Sequence, residues 1–330
     1  MSRSHANISI FVPHIGCPNM CSFCNQRYIT GAHAAPHRED VAAAVERALS
    51  AGGFDSDNTE IAFFGGSFTA INRNYMTSLL EAAYEFVKNG TVCGIRISTR
   101  PDVIDEEKLL LLKNYGVTSI ELGAQSLNDR VLKSNNRGHT AKDVYTASKL
   151  IKDYGFSLGL QMMTGLYKDT DESAIKTAKE IIDIAPDTVR IYPTIVLKGT
   201  DLAALYSDGK YKPQTLQSAV SLCAKLYTLF ENSGISVIRL GLHSIEGEAY
   251  ISGPWHPAFS ELCQSKIFLD KALSLLSAPG NYDIYVAPES VSKMTGQARA
   301  NLEALKSAGY VCRIKQNTNL KDFQILAERR

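Results

Sequence analysis

Three cysteines stand within eight residues, Cys17-Pro-Asn-Met-Cys21-Ser-Phe-Cys24, a C-x3-C-x2-C spacing. Thiolates this close are soft donors that a short loop returns to one side, which is how a protein holds a metal. Two chemistries fit. Zinc takes a tetrahedron of ligands, so three thiolates need a fourth, for which His14, His33 and His37 are the nearby candidates. A cubane [4Fe–4S] cluster also needs one ligand per iron, so three cysteines leave one iron open to bind something else. The remaining cysteines, Cys93, Cys223, Cys263 and Cys312, are scattered among apolar neighbours and read as buried, inert thiols. An odd count in a chain with no export signal argues against a disulfide framework.

The whole chain must be able to fold around such a loop. Its 330 residues are 45% hydrophobic and 21% charged, enough for a sizeable core and too apolar for disorder. Thirty-five basic residues against 34 acidic ones give a net charge of +1. That balance excludes a strongly basic nucleic-acid sleeve and leaves room for a local basic patch. No apolar run approaches the ~18 residues of a spanning helix. The polar start and the short apolar stretch at 8–12 do not make a signal peptide. The expectation is a cytoplasmic protein with no membrane contact.

Short apolar strands alternate with helical patterns. The strands are expected at 8–12, 61–64, 94–98, 119–122, 157–161 and 188–192, each bounded by Gly, Pro, Asn or a charged turn. Helices are expected at 37–51, 73–88, 105–115, 141–154 and 172–184. Asp105, Glu106 and Glu107 load one first turn with acid, as the helix dipole favours. This order implies an α/β fold with a parallel sheet, a partial (β/α)6 TIM-like barrel. In such barrels the chemistry lies at the carboxyl ends of the strands. The unusual sequences all fall there: 14–24 after the first strand, Gly65-Gly66-Ser67-Phe68-Thr69 after the second, Thr99-Arg100-Pro101-Asp102 after the third. Gly123-Ala124-Gln125-Ser126, Met162-Met163-Thr164-Gly165 and Pro193-Thr194 follow the next three. Beyond them lie a long helix at 213–233 and a strand at 235–240. The composition then shifts, and a small α/β C-terminal appendage is expected, with a helix at 258–277, a helix pair from 290 to 308 and strands at 282–286, 310–315 and 322–326. The domains are expected at 1–250 and 251–330.

The cysteine loop directly after the first strand, with an aromatic before its third Cys, resembles the radical S-adenosylmethionine (SAM) superfamily. The glycine stretch 65–69 resembles that family's glycine motif. Ser98-Thr99-Arg100-Pro101-Asp102, Glu121-Leu122-Gly123-Ala124-Gln125-Ser126 and Arg137-Gly138-His139-Thr140 resemble the radical domain of the Elongator catalytic subunit. So do Met162-Met163-Thr164-Gly165-Leu166 and Ile191-Tyr192-Pro193-Thr194 with Lys198-Gly199-Thr200. The stretch 121–126, followed by 137–140, also resembles, more loosely, the oxygen-independent coproporphyrinogen oxidases. The likeness covers roughly 8–240, and the expectation is a radical domain without the acetyltransferase domain that follows it in Elongator. The expectation is a standalone relative of that branch.

The resemblance implies a [4Fe–4S] cluster on Cys17, Cys21 and Cys24, with S-adenosyl-L-methionine on the open iron and reductive cleavage to a 5′-deoxyadenosyl radical. It implies a low-potential electron donor and an RNA (tRNA) substrate. A small-molecule or tetrapyrrole substrate is one alternative, and a non-catalytic zinc-bound RNA-binding module another. Phe23 is placed either near the adenine or as a core anchor for the loop. Gly65 and Gly66 let the backbone approach the methionine moiety, and Ser67, Thr69, Ser98, Gln125 and Ser126 are further cofactor contacts. Arg100 either binds a carboxylate bidentately or pairs with Asp102. Arg137 and His139 divide between capping and function. Tyr192 and Lys198 are candidates to face the substrate, with Arg100 the third catalytic candidate, and His243 reads as structural. In the appendage, residues 292–299 faintly resemble a KH loop, which makes Lys293, Arg299, Arg313 and Lys315 the phosphate contacts if RNA binds there.

Overall fold

The computed structural model describes residues 5–12, 17, 20–25, 34–242 and 249–330. Six parallel strands follow one another across a sheet: β1 (Ala6–Val12), β2 (Thr59–Gly65), β3 (Gly94–Thr99), β4 (Val117–Gln125), β5 (Ser157–Thr164) and β6 (Thr188–Pro193). A short β7 (Val196–Leu197) leaves the sheet, and β8 (Ser236–Leu240) returns to pair in parallel with β6 as a seventh strand. The order β1-β2-β3-β4-β5-β6-β8 never closes on itself, so the sheet is a curled half-barrel. The expected partial barrel is therefore present, with the late strand as an added edge.

Period-two alternation decides which way each strand faces. Ile61, Phe63, Ile95, Ile97, Ile120, Leu122, Leu158, Leu160, Val189 and Ile191 are buried against the helical layer in one continuous core. The alternate positions Glu60, Arg96, Ser119, Glu121 and Arg190 are polar, and they too are buried. A parallel sheet covered on both faces by helices would be apolar on both. Here one face meets helices and the other is a polar concavity. Helices Arg73–Lys88, Ala141–Asp153 and Asp171–Ile184 begin at Asn72, Thr140 and Thr170, each of which accepts a backbone N–H with its side chain. Three elements had no sequence expectation: the helix Asp129–Ser134, the helix Asp201–Ser207, and the antiparallel pairing of β7 with β9 (Tyr250–Ser252).

In the C-terminal unit, β10 (Gly280–Val286) lies between β11 (Tyr310–Gln316) and β12 (Ile325–Arg329). The last strand begins later than expected because Asp322 and Phe323 form a turn. Phe323 adopts φ 60° and its N–H donates to the Asp322 carboxylate. The helix Phe259–Leu275 serves two cores: Phe259, Cys263 and Ile267 pack into the barrel's core, Phe268 and Ala272 into the appendage's. Among the four cysteines read as core thiols, Cys223 and Cys263 are buried and Cys312 is half-buried. Cys93 corrects the expectation: it is exposed, in the turn entering β3, where its thiol donates to the Thr59 carbonyl at 3.2 Å. No helix among the described residues is long and apolar enough to cross a membrane.

Candidate cofactor site at the carboxyl end of the sheet

Asn135 holds the cysteine loop in place. Between Cys21 and Cys24 the chain makes a tight turn, with the Cys24 N–H donating to the Cys21 carbonyl at 3.0 Å. Ser22 donates its N–H to the Asn135 carbonyl (3.1 Å) and its hydroxyl to the Asn135 Oδ1 (3.0 Å). Asn135 is fully buried and spends its amide on the Val131 and Tyr167 carbonyls, while Oδ1 also accepts the Tyr167 N–H. From the other side the Ser22 carbonyl accepts the Leu202 N–H (2.8 Å), and the Asn25 amide donates to the Lys198 carbonyl (3.1 Å). Phe23 packs against the cluster of Val196, Leu202 and Tyr211, which makes it an anchor of the loop.

The thiols themselves are electrostatically coupled. Burial pushes the Cys17 thiol up, against the pull of the Ser67 backbone N–H and the charges of Arg100 and Arg137. Burial pushes Cys24 up to about 12, with Cys21 and Cys17 adding repulsion and Arg137 opposing it. Arg137 donates Nη1 to the Cys21 sulfur at 3.1 Å and Nη2 to the Gly123 carbonyl. Arg100 is the second guanidinium near the sulfurs. It makes the pair read as one alternative from the sequence, bidentate to Asp102 at 2.9 and 2.7 Å. Among the described residues no three His, Cys, Asp or Glu side chains are drawn into a metal cage. His37 is exposed, and its N–H donates to Asp40 at the start of helix Arg38–Ser50. His14, His33 and His243 lie outside the described residues.

The strand-end loops form the rest of the rim. Gly65 adopts φ +111°, and a Cβ there would stand 2.7 Å from the Val12 carbonyl oxygen, which already accepts the Gly66 N–H at 2.8 Å. Ser67 and Thr69 each share a hydroxyl contact with Thr99, at 2.9 and 2.7 Å, which ties the loop after β2 to the loop after β3. Ser98 points into the concavity, 3.5 Å from Glu121. A register shift between Leu122 and Gln125 carries β4 three residues past its expected end, and Gln125 stands at φ 64° with its Oε1 buried and unpartnered. Ser126 turns the other way, accepting the Asn128 N–H and meeting Thr177 of the helical layer. His139 Nε2 meets the Ala124 carbonyl at 3.2 Å, its Nδ1 has no partner, and burial beside Arg137 pushes its pKa down to about 4.

Deeper in the concavity Glu121, 1% exposed, accepts from Arg96 (3.2 Å), Arg190 (2.8 Å) and Gln161 (3.0 Å). Arg96 continues to Glu60 at 2.8 Å, and Arg190 lies 5.2 Å from the Phe64 ring centroid. Burial pushes the Tyr192 phenol up, against the pull of Arg190. The Lys198 side chain is exposed, and its carbonyl anchors Asn25. In the appendage Lys293 pairs with Asp322 and Lys315 with Asp283, while Arg299 is exposed at φ 65°. Arg313 also faces Asp283.

The site therefore gathers Cys17, Cys21, Cys24, Arg100 and Arg137. The unpartnered atoms of Gln125, Arg137 and His139 lie at the end of β4 and on the segment that follows it. Sequence reading missed Asn135, Thr99 and the Glu121–Arg190 pair. The run Asn135-Asn136-Arg137-Gly138-His139, dense in polar residues inside a helical region, was the one available signal.

Comparison with known proteins bears on this geometry. A family model described as the radical SAM superfamily matches residues 11–181, and one described as the radical SAM C-terminal domain matches residues 186–268. Elongator complex protein 3 of Homo sapiens is 34% identical over 197 residues, 54% of this chain and 36% of that protein. A tRNA uridine(34) acetyltransferase of Methanocaldococcus infernus is 32% identical over 191 residues, 52% of this chain and 36% of that protein. The chain thus spans about a third of the length of these two relatives. Among solved structures, the archaeal Methanocaldococcus infernus Elp3 with an N-terminal deletion superposes with a TM-score of 0.65 at 22% identity, covering 82% of this chain and 64% of that one, and so shares the fold.

Proposed function

The chain belongs to the radical SAM superfamily, and from that premise we propose an enzyme that binds one [4Fe–4S] cluster and S-adenosyl-L-methionine and acts in RNA (tRNA) modification. The observation that carries the reading is the Arg137 guanidinium on the Cys21 sulfur, at the carboxyl end of a half-barrel. The donor set fits the cluster. Three soft thiols share one loop, and two guanidiniums offset the charge the thiolates would carry. It also fits SAM. The Gln125 oxygen, Arg137 Nε and His139 Nδ1 are buried without partners, and the backbone at Gly65 is too close to Val12 for a side chain.

Cys17, Cys21 and Cys24 would hold the cluster, and its chemistry with bound SAM is one-electron cleavage of a carbon–sulfur bond to give a hydrogen-abstracting radical. The protein's residues bind, orient and shield. Asn135 fixes the loop, and the Ser67 N–H and the Arg137 N–H support two of the sulfurs. A neutral His139 can accept a hydrogen bond at Nδ1 while Nε2–H donates to Ala124. The buried Glu121 carboxylate holds Arg190, and Arg190 neighbours Tyr192, so the concavity offers a fixed polar wall to a substrate. The RNA reading is supported by the relatives named for tRNA uridine(34) and by the run of motifs shared with that branch.

Iron and sulfide analysis after anaerobic reconstitution tests the ligand set. Wild type and Cys263→Ala take up about four irons, and Cys21→Ala takes up little. Equal iron in Cys21→Ala and Cys263→Ala contradicts the assignment, and one stoichiometric zinc in place of iron sinks the radical reading.

A further inference from the structure

A second cavity, of about 420 Å³, opens on the same end of the sheet, between the loop that leaves β5 and residues 210–214. That volume suits a nucleotide-sized ligand. Its base is rigid: the Tyr211 hydroxyl donates to the Gly165 carbonyl at 2.7 Å, and the Thr164 hydroxyl donates to Gln214 at 3.1 Å. One wall is Tyr167, edge-on to Tyr211 at 6.3 Å. At the rim Lys168 stands 5.2 Å from the Tyr167 ring centroid, Lys210 lies close to the same phenol, and Lys212 is exposed. Lys168 is held at φ 61°, a left-handed conformation that a lysine adopts only against strain. Asp169 lines the same space with one carboxylate oxygen unpartnered.

Ammonium groups at a rim, an aromatic wall and an acceptor lacking a donor match the three parts of a nucleotide: phosphate, base face and base N–H. The cavity is also wired to the cofactor loop, because Asn135 binds both backbone groups of Tyr167 and the hydroxyl of Ser22. We propose that this cavity seats an RNA nucleotide next to the one presented to the barrel, with phosphate on Lys168 and Lys212, base against Tyr167 and a base N–H on Asp169. The proposal rests on the RNA reading above.

Two arms test it on the full chain carrying its cluster. In the first, tRNA binding is measured at about 100 mM salt for Lys168→Glu/Lys212→Glu, for Asp169→Asn, and for the charge-reversal control Lys88→Glu/Lys149→Glu, exposed on helices Arg73–Lys88 and Ala141–Asp153. The first pair should weaken binding at least about tenfold and the control by less than about twofold. Asp169→Asn should weaken binding severalfold while melting within about 2 °C of wild type, since the amide oxygen can still accept from Ser173 and the Thr170 N–H. Equal binding by all variants, or equal weakening by the control pair, overturns the cavity and leaves the RNA reading standing. In the second arm a photoreactive uridine monophosphate is crosslinked and mapped by mass spectrometry. Crosslinks in 165–171 or 210–214 support the cavity even if wild type retains no tRNA, an outcome that would overturn the RNA reading alone. Crosslinks elsewhere, or none, overturn the cavity.

Discussion

Asn135→Ala should loosen the cysteine loop while leaving the barrel folded. The truncation removes one partner each from the Ser22 hydroxyl, the Tyr167 N–H and the Val131 and Tyr167 carbonyls, around a residue that is itself fully buried. The Ser22 N–H keeps its bond, because the acceptor is the backbone carbonyl of residue 135. Four net hydrogen bonds at about 1 kcal/mol each set the ceiling, and relaxation of the loop reduces the loss to about 3 kcal/mol. One of the four bonds reaches the cysteine loop directly and the other three hold Asn135 in place to make it, so loop anchoring should weaken by about 1–3 kcal/mol and cluster retention by about 10- to 100-fold. Competition with an iron chelator under anaerobic conditions reads the retention, and a thermal melt reads the fold. Ser22→Ala alone should cost about 1 kcal/mol, and the double variant should fall short of the sum by about 1 kcal/mol. A variant that holds iron as wild type does, or a double variant that is strictly additive, would refute the idea that Asn135 is the clamp.

Gly65→Ala should lower both melting temperature and iron content. A side chain at φ +111° costs about 1–3 kcal/mol in strain alone, and moving the Val12 carbonyl to admit it breaks the bond to Gly66. A melt within a degree of wild type would show that the close approach is not required. Glu121→Gln keeps the shape of the side chain but leaves Arg190 without its carboxylate and Arg96 with only Glu60, a loss of about 3–5 kcal/mol in urea unfolding. A loss under about 1 kcal/mol would mean that water reaches these charges. His139 resists protonation in the fold, with a pKa near 4. The unfolded chain therefore binds the extra proton between about pH 4 and 6.5, and stability rises with pH across that window by up to about 3 kcal/mol. Melts of wild type and His139→Gln from pH 7.5 to 4.5 check this: wild type should lose more, and parallel losses would contradict it.

Much of the fold could be read from strand punctuation. Asn72, Thr140 and Thr170 cap helices whose limits lie close to those expected. The antiparallel β7–β9 pair was invisible because it has two residues on one side and three on the other, too few for any alternation to register. The cysteines and the strand-end glycines were legible because their chemistry is local. Asn135 was not, since its role comes from three partners 4, 32 and 113 residues away, brought together only by the crossover after β4. Ser126 shows the converse: its place after a strand suggested the rim, and the left-handed turn at Gln125 sends its hydroxyl to the helices instead. Cys93 looked like a core thiol from its neighbours, yet it belongs to a turn, where flanking apolar residues say little about exposure.

The most direct test of the account is SAM cleavage by the reconstituted protein. Wild type, loaded anaerobically and reduced with dithionite in the presence of S-adenosyl-L-methionine, should release 5′-deoxyadenosine and methionine, and Cys21→Ala under the same conditions should release neither. A fully loaded wild-type protein that yields no 5′-deoxyadenosine would contradict the assignment of this site to radical chemistry.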